Sequence, residues 1–439
     1  MLQLVGILIF ALLIAMSIAL HEFGHFLPAK KFGVKVTEFM IGFGPAIWTR
    51  IKGETRYGFK LVPLGGYVRM IGMLPPVKES EQPAEPVSAG RFATMIADAR
   101  QQSLEEVGPE DHDRVFYRLP VRKRVMVMLG GPLMNLIFAT VLFSILLIGI
   151  GLPQPSLTVN SVVPCTPSVE HPTGATLPSG NCPSGTTQTP AMAAGLKPGD
   201  VIEAVNANPA QDWDSVSTAL RASGGTTVTL DLSRAGQSIQ VPVDVALIDR
   251  PEYDQMGEAT GATVAGGFVG VSPGVDYVRQ SWTDVPAFMW DLTTASIGAL
   301  ISLPVRLYEL VTQTLIGGKE RAIDGPVSVV GVSRIGGDIA AMDEPIVGKI
   351  STFIALAASL NLFLFLFNLL PIPPLDGGHI AGALYEALRR SIAKVRGRPD
   401  PGPVDVARLL PVAYVVAIAL VGMGAIVIWA DLVKPISLG

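Results

Sequence analysis

Charge is scarce in this sequence: only 16% of its 439 residues are Asp, Glu, Lys or Arg, while 49% are hydrophobic. A soluble enzyme carries about a quarter charged residues, so a fully water-solvated surface is excluded. With a formal net charge of -4 and no clustered basic face, nothing supports a nucleic-acid partner. No Lys or Arg precedes Lys30, and no small-residue cleavage pattern follows the first apolar stretch. The positive n-region of a signal peptide is therefore missing, and the stretch reads as a retained transmembrane helix. Cysteine is nearly absent, and Cys165 with Cys182 leaves room for one disulfide at most.

What the sequence does have is length in its apolar runs. Leu2 to Leu20, Val125 to Leu152, Ser351 to Leu370 and Leu409 to Ala430 each approach the roughly 20 residues needed to cross a bilayer. Sixteen of the 33 Lys and Arg lie between Phe26 and Val125, and Arg389, Arg390, Lys394, Arg396, Arg398 and Arg408 lie between the last two runs. Cytoplasmic loops retain positive charge, so both connections are expected inside and the long stretch from Pro153 to Lys349, with both termini, outside. The expected fold class is a polytopic α-helical membrane protein with about four transmembrane helices. The expected domains are a first transmembrane helix (1–26), a cytoplasmic loop (27–124), a second helix (125–152), an outer domain (153–250), an outer linker with interfacial helices (251–350), a third helix (351–388), a cytoplasmic loop (389–408) and a fourth helix (409–433).

Within the first loop, Gly33 to Met70 alternates polar and apolar residues between glycines, as short strands and turns do. Leu74 to about Gly108 is rich in Pro, Glu and Ala and is expected to be mobile. The outer cysteines sit in a Pro, Gly, Ser and Thr-rich segment, where a disulfide is the default; two free thiols or a partial metal site with His171 is the alternative. Ala193 to Asn208, a helix at Ser215 to Arg221, and strands at Ser156 to Val163, Thr226 to Leu232 and Ser238 to Val245 resemble a bacterial PDZ domain. Such an α+β domain either binds a peptide by strand addition or serves as a steric cap. Trp282 to Ile316 has the length to span, but Asp284, Asp291, Arg306, Glu309 and two prolines favour a helix lying at the interface; a fifth crossing is the second reading.

The chemistry concentrates in His21-Glu22-Phe23-Gly24-His25 at the inner end of the first helix. Residues four apart share a helix face, so the imidazoles converge on one ion, with Glu22 beside it as a general base. Zinc suits nitrogen ligands and keeps a position for water when catalytic. An ionisable cluster in an otherwise uncharged transmembrane helix is costly unless it is functional. The third ligand is expected at Asp376, in Asn368-Leu-Leu-Pro-Ile-Pro-Pro-Leu-Asp-Gly-Gly-His379, where Pro371, Pro373 and Pro374 interrupt the helix. Irregular backbone at membrane depth is tolerated where it lines a polar cavity. Taken alone, Asp376 could equally cap a helix.

Together these motifs resemble the site-2 protease family (peptidase family M50), in particular its RseP-type members and, with one PDZ domain, the actinobacterial branch. The resemblance implies an intramembrane protease with Zn2+ on His21, His25 and Asp376, Glu22 as catalytic base, and Asn368 holding the substrate backbone. It also implies a membrane-associated β-hairpin at Gly42-Phe43-Gly44 that pairs with unwound substrate. Gly131-Pro132-Leu133-Met134-Asn135 matches a family turn, with Asn135 expected on the substrate side, and Gly325-Pro326 matches a motif of underived role. The implied location is a bacterial plasma membrane, and the implied substrates are single-pass membrane proteins. These are anti-sigma factors already cut by a site-1 protease, with remnant signal peptides second. A non-catalytic adaptor that binds transmembrane helices is the alternative, and intact Glu22 speaks against it. A zinc transporter would want polar residues along several helices, which the second and fourth runs lack.

Overall fold

Long uncharged runs form the longest elements, because a helix satisfies its own backbone donors and acceptors without water. A computed structural model describes the chain apart from residues 1, 77–90, 167–175, 177–180, 254–258, 320, 322–324, 343 and 437–439. Two compact units emerge, one from Met1–Gly149 with Ser281–Gly439 and the other from Ile150–Gln280.

The first unit contains α1 (Leu2–Lys31), α2 (Arg91–Glu105), α3 (Val121–Ser144, prolonged by a π-helical Ile145–Ile150), α6 (Val285–Glu309, prolonged by a π-helical Leu310–Ile316), α7 (Val329–Ala341), α8 (Ile346–Asn368), α9 (Asp376–Val395) and α10 (Leu410–Val433). Among the described residues, α1, α3, α6, α8 and α10 with their extensions are long and apolar enough to cross a membrane.

Helices α1 and α3 run antiparallel and touch through glycine: a Cβ on Gly24 would lie 2.2 Å from the Gly130 carbonyl oxygen. Small residues at such a crossing let the backbones approach where lipid offers no hydrophobic drive. Helix α8 runs parallel to α1, since Phe10 meets Phe353 and Asn361 Nδ2 donates to Ser17 Oγ at 2.8 Å. Helix α10 returns the other way. Its start is tied through Arg100, which donates twice to Asp405, and through Val404 N–H, which donates to Glu386. At its far end, Asp431 accepts from Arg321 and from the backbone and hydroxyl of Ser328. The same guanidinium donates to the Pro326 carbonyl, so Gly325-Pro326 is the turn that brings Ser328 to α10.

Helix α6 is attached differently. Near its start Phe288 meets Phe143 at the end of α3, and beyond its end Leu310 packs with Val427 and Ala430 at the end of α10. Both attachments therefore lie at the same end of the α1–α3–α8–α10 bundle, and the apolar window of α6 is unburied. Sequence reading counted four crossings and an interfacial helix here; length and composition alone would count five.

Strands β1 (Val36–Lys52) and β2 (Thr55–Met70) are bent so that β1 pairs on both sides: Phe39 lies opposite both Val68 and Tyr57. The sheet runs 66–70, 36–41, 55–60, 46–52, so the 66–70 segment is an edge among the described residues. The expected mobile insertion contains α2, which is held by the Arg100 contact and by Arg69–Glu106 at 2.5 Å; its 77–90 portion lies outside the described residues.

The second unit adds α4 (Pro190–Ala193), α5 (Trp213–Ala222), β3 (Leu152–Val162), β4 (Val201–Val205), β5 (Asn208–Pro209), β6 (Thr227–Arg234), β7 (Gln237–Asp244), β8 (Ala246–Tyr253), β9 (Ala259–Phe268) and β10 (Val271–Val278). The sheet order is β10-β3-β4-β6-β7 with β5 on β4, and β8 pairs with β9 separately. Asp212 and Ser215 form a reciprocal cap on α5. The alternating inward residues Val228, Leu230 and Leu232 join Ile202, Val216 and Leu220 in one core. Cys165 and Cys182 form a disulfide; His171, the other candidate partner, lies outside the described residues.

Candidate metal centre

Helix α1 brings His21 and His25 onto one face, and they approach edge to face with their Nε2 atoms 3.2 Å apart. Asp376 arrives from the other end of the sequence. Two glycines after it allow the chain to fold back sharply, since a Cβ on Gly377 would lie 2.2 Å from the Leu370 carbonyl and one on Gly378 would lie 2.6 Å from Pro373 N. Asp376 thus becomes the first residue of α9, and its Oδ2 lies 3.3 Å from both imidazole Nε2 atoms.

Three donors with edges of 3.2, 3.3 and 3.3 Å form a nearly equilateral triangle. Ligands about 2.0–2.1 Å from a tetrahedral zinc are about 3.3 Å apart, so the triangle has the dimensions of one face of such a site. The hydrogen bonding agrees. His25 Nδ1 lies 2.8 Å from the Val127 carbonyl, which fixes the proton there and leaves Nε2 bare. Among the described residues, Asp376 Oδ2 is buried without a hydrogen-bond partner. Bare acceptors turned toward one another repel unless a cation lies between them. Two histidines and one carboxylate are moreover the donor set of catalytic zinc, with the fourth position left for water or substrate. The residues present fit zinc.

Glu22 is half-buried within electrostatic reach of His21, His25 and Asp376. A Cβ on Gly66 would come within 2.8 Å of Glu22 Cγ, so the edge segment of β2 lies directly against the glutamate. Gly42 and Gly44 occupy positive φ, and Phe43 is exposed, its ring against Gly65. The stretch that sequence reading chose for pairing with substrate is thus one strand further from Glu22 than Gly65–Gly66. Asn368 is half-buried at the end of α8, its Nδ2 donating to the Leu364 carbonyl at 2.9 Å. Asn135 is fully buried, and its amide faces His21 Nδ1 at 3.1 Å.

Sequence reasoning did not single out Val127, Gly66, Ser17 with Asn361, or Arg124 with Glu386. The glycines of α3 carried a legible signal of close approach, and Gly131 is needed because a Cβ there would lie 2.2 Å from His25 Nε2. A backbone acceptor such as Val127 O leaves no trace in residue type.

A two-histidine, one-carboxylate centre inside a bundle of apolar helices defines a membrane-embedded metalloprotease. Comparison with known proteins carries this further. The pattern of peptidase family M50 matches residues 9–399, so the chain belongs to that family and is a zinc metalloprotease of the intramembrane type. It is 36% identical to zinc metalloprotease Rip1 of Mycobacterium bovis (strain BCG / Pasteur 1173P2) over 444 residues, covering 100% of both chains. It is 34% identical to zinc metalloprotease Rip1 of Mycolicibacterium smegmatis over 99% of this chain and 98% of the relative. Metalloprotease MmpA of Caulobacter vibrioides is 27% identical, covering 88% of this chain and 87% of its own.

Proposed function

We propose that His21, His25 and Asp376 hold the zinc and that Glu22 is the general base for hydrolysis of a peptide bond within or near a transmembrane segment. The observation that carries the assignment is the 3.2–3.3 Å triangle formed by His21 Nε2, His25 Nε2 and Asp376 Oδ2. When bound, zinc supplies Lewis-acid chemistry, polarising the scissile carbonyl and acidifying a water molecule. Glu22 takes the proton of the attacking water on a carboxylate oxygen and passes it to the leaving amine nitrogen. Gly66 sets the approach, because its missing side chain lets the 66–70 edge lie directly against that carboxylate. A substrate helix hides its carbonyls in its own hydrogen bonds, and pairing with a strand edge replaces the bonds lost on unwinding. The pairing segment is therefore 66–70, with Gly42-Phe43-Gly44 supporting its bend and Asn368 on the opposite side of the scissile bond.

The chain sits in a bacterial plasma membrane with its termini and residues 150–280 outside. The order of elements in that unit, with β6 and β7 following α5 and β10 closing the sheet beside β3, supports a PDZ-type domain. It limits access to substrates whose outer domains have been trimmed. Helix α6 lies along the outer surface, as its two attachments at one end of the bundle support. Substrates are single-pass proteins, anti-sigma factors cut first by a site-1 protease, with remnant signal peptides second. The test compares membrane proteomes of cells carrying wild type and Glu22→Gln. Single-pass proteins accumulating as shortened stubs in the variant support the reading; cleavage unchanged by the substitution overturns the assignment of Glu22.

A further inference from the structure

The α3 helix presents one stripe to the two imidazoles. Val127, Gly131 and Asn135 are spaced four apart, so they line up on one face. Because α3 is antiparallel to α1, the stripe reads in reverse order. The Val127 carbonyl faces His25 Nδ1, Gly131 leaves room for the His25 ring, and Asn135 reaches His21 Nδ1 at 3.1 Å. Asn135 is fully buried, and its Oδ1 has no partner among the described residues. A buried amide oxygen left unpaired is costly, so its position calls for a partner.

His21 supplies that partner once its Nε2 is committed to a metal. The ring proton must then sit on Nδ1, and a protonated Nδ1 needs an acceptor. A half-turn of the Asn135 amide exchanges Nδ2 for Oδ1 at nearly unchanged positions. With Nδ2 toward the ring, Nδ1 is the acceptor and the proton sits on Nε2, where it blocks coordination. With Oδ1 toward the ring, the proton sits on Nδ1 and Nε2 is free to bind. We infer that Asn135 is the positioning residue of His21: its side-chain carbonyl accepts the Nδ1 proton, selects the metal-binding tautomer and fixes the ring, as Val127 does for His25. This gives the Gly-Pro-x-x-Asn stretch a physical role, and it moves Asn135 from the substrate side to the metal side of the site. The inference rests on the reading of His21 as a zinc ligand.

The test measures zinc affinity of the detergent-solubilised full-length protein by competition with a chromophoric chelator, and the visible absorption of the cobalt-substituted form. Asn135→Leu, which removes the acceptor, is expected to weaken zinc about 10–100-fold and to alter the cobalt spectrum. Asn135→Asp, which keeps an acceptor in the same place, is expected to hold zinc at least as tightly as wild type. Asn135→Leu binding like wild type, or Asn135→Asp weakened as much as Asn135→Leu, overturns the inference. If Asn135→Leu does not fold, Asn135→Asp against wild type decides alone, with weaker binding counting against it. His21→Ala separates the two levels. Full zinc affinity in that variant would sink the ligand assignment itself, whereas lost affinity there beside unaffected Asn135 variants would sink only the positioning role.

Discussion

Zinc affinity at this centre depends on single atoms as much as on the ligands. Gly131 has no ligating group, yet a methyl there would occupy the place of His25 Nε2. Gly131→Ala is expected to displace the ring and reduce bound zinc severalfold in purified protein, read by metal analysis, while Gly298→Ala, whose added methyl meets nothing within 4 Å, leaves bound zinc unchanged. Asp376→Asn removes the proposed anionic ligand and is expected to reduce zinc further than Gly131→Ala. The residues of the proposed ligand set, which the structure brings together, stood out in the sequence because an i, i+4 histidine pair is costly to keep in an uncharged membrane helix unless it binds something. The Ser17–Asn361 bond one helical turn away was not, because Ser and Asn in a membrane helix carry many meanings and only coordinates pair them.

Among the elements, the junction of α3 with α9 rests on charge. Arg124 and Glu386 are 8% and 1% exposed and lie 2.5 Å apart, with Arg390 and the Val404 N–H completing the carboxylate's partners. Removing one member of a buried pair strands the other, at a cost of about 3–5 kcal/mol. Arg124→Met should lower the midpoint of thermal unfolding in detergent, and Arg124→Met with Glu386→Leu should recover most of the loss. The inserted unit has its own ionic tie. Arg234 hydrogen bonds hold the Asp200 carboxyl below the usual carboxylate range, although burial of Asp200 opposes them, and the Lys197 N–H adds to the effect. A folded value below the unfolded one of about 3.9 means stabilisation that is present above about pH 4 and lost as pH falls through the folded value. Hydrogen-exchange protection factors in β4 and β6 of the full protein, taken relative to the intrinsic amide rate at each pH, should therefore fall below pH 4 in wild type, and Asp200→Asn should remove that dependence. Strands here were readable from alternation at Thr226 to Leu232 and Ser238 to Val245. The helical part of the 91–105 segment was not, because Asp405, which anchors Arg100, is 305 residues away.

At the scale of the molecule, four helices could be counted from hydropathy, and the fifth candidate shows why counting stops short. Apolar length cannot separate a helix that crosses from one that lies down. The contacts of Phe288 and Leu310 at one end of the bundle support the second. Cysteines placed singly at Ser281 and Gly317 in cells should both react with a membrane-impermeant thiol reagent added from outside; protection of one and labelling of the other would indicate a crossing. Both native cysteines are bonded to each other and give no background. The doubled-back sheet, finally, has a quantitative side. Its margin at 66–70, unpaired by any other strand among the described residues, is five residues, a ruler of about 17 Å at about 3.3 Å per residue. A target read along that ruler must surrender more than a full helical turn on one side of the cut. Glycine, proline or serine within about five positions of the scissile bond should then govern which membrane proteins are degraded and which persist.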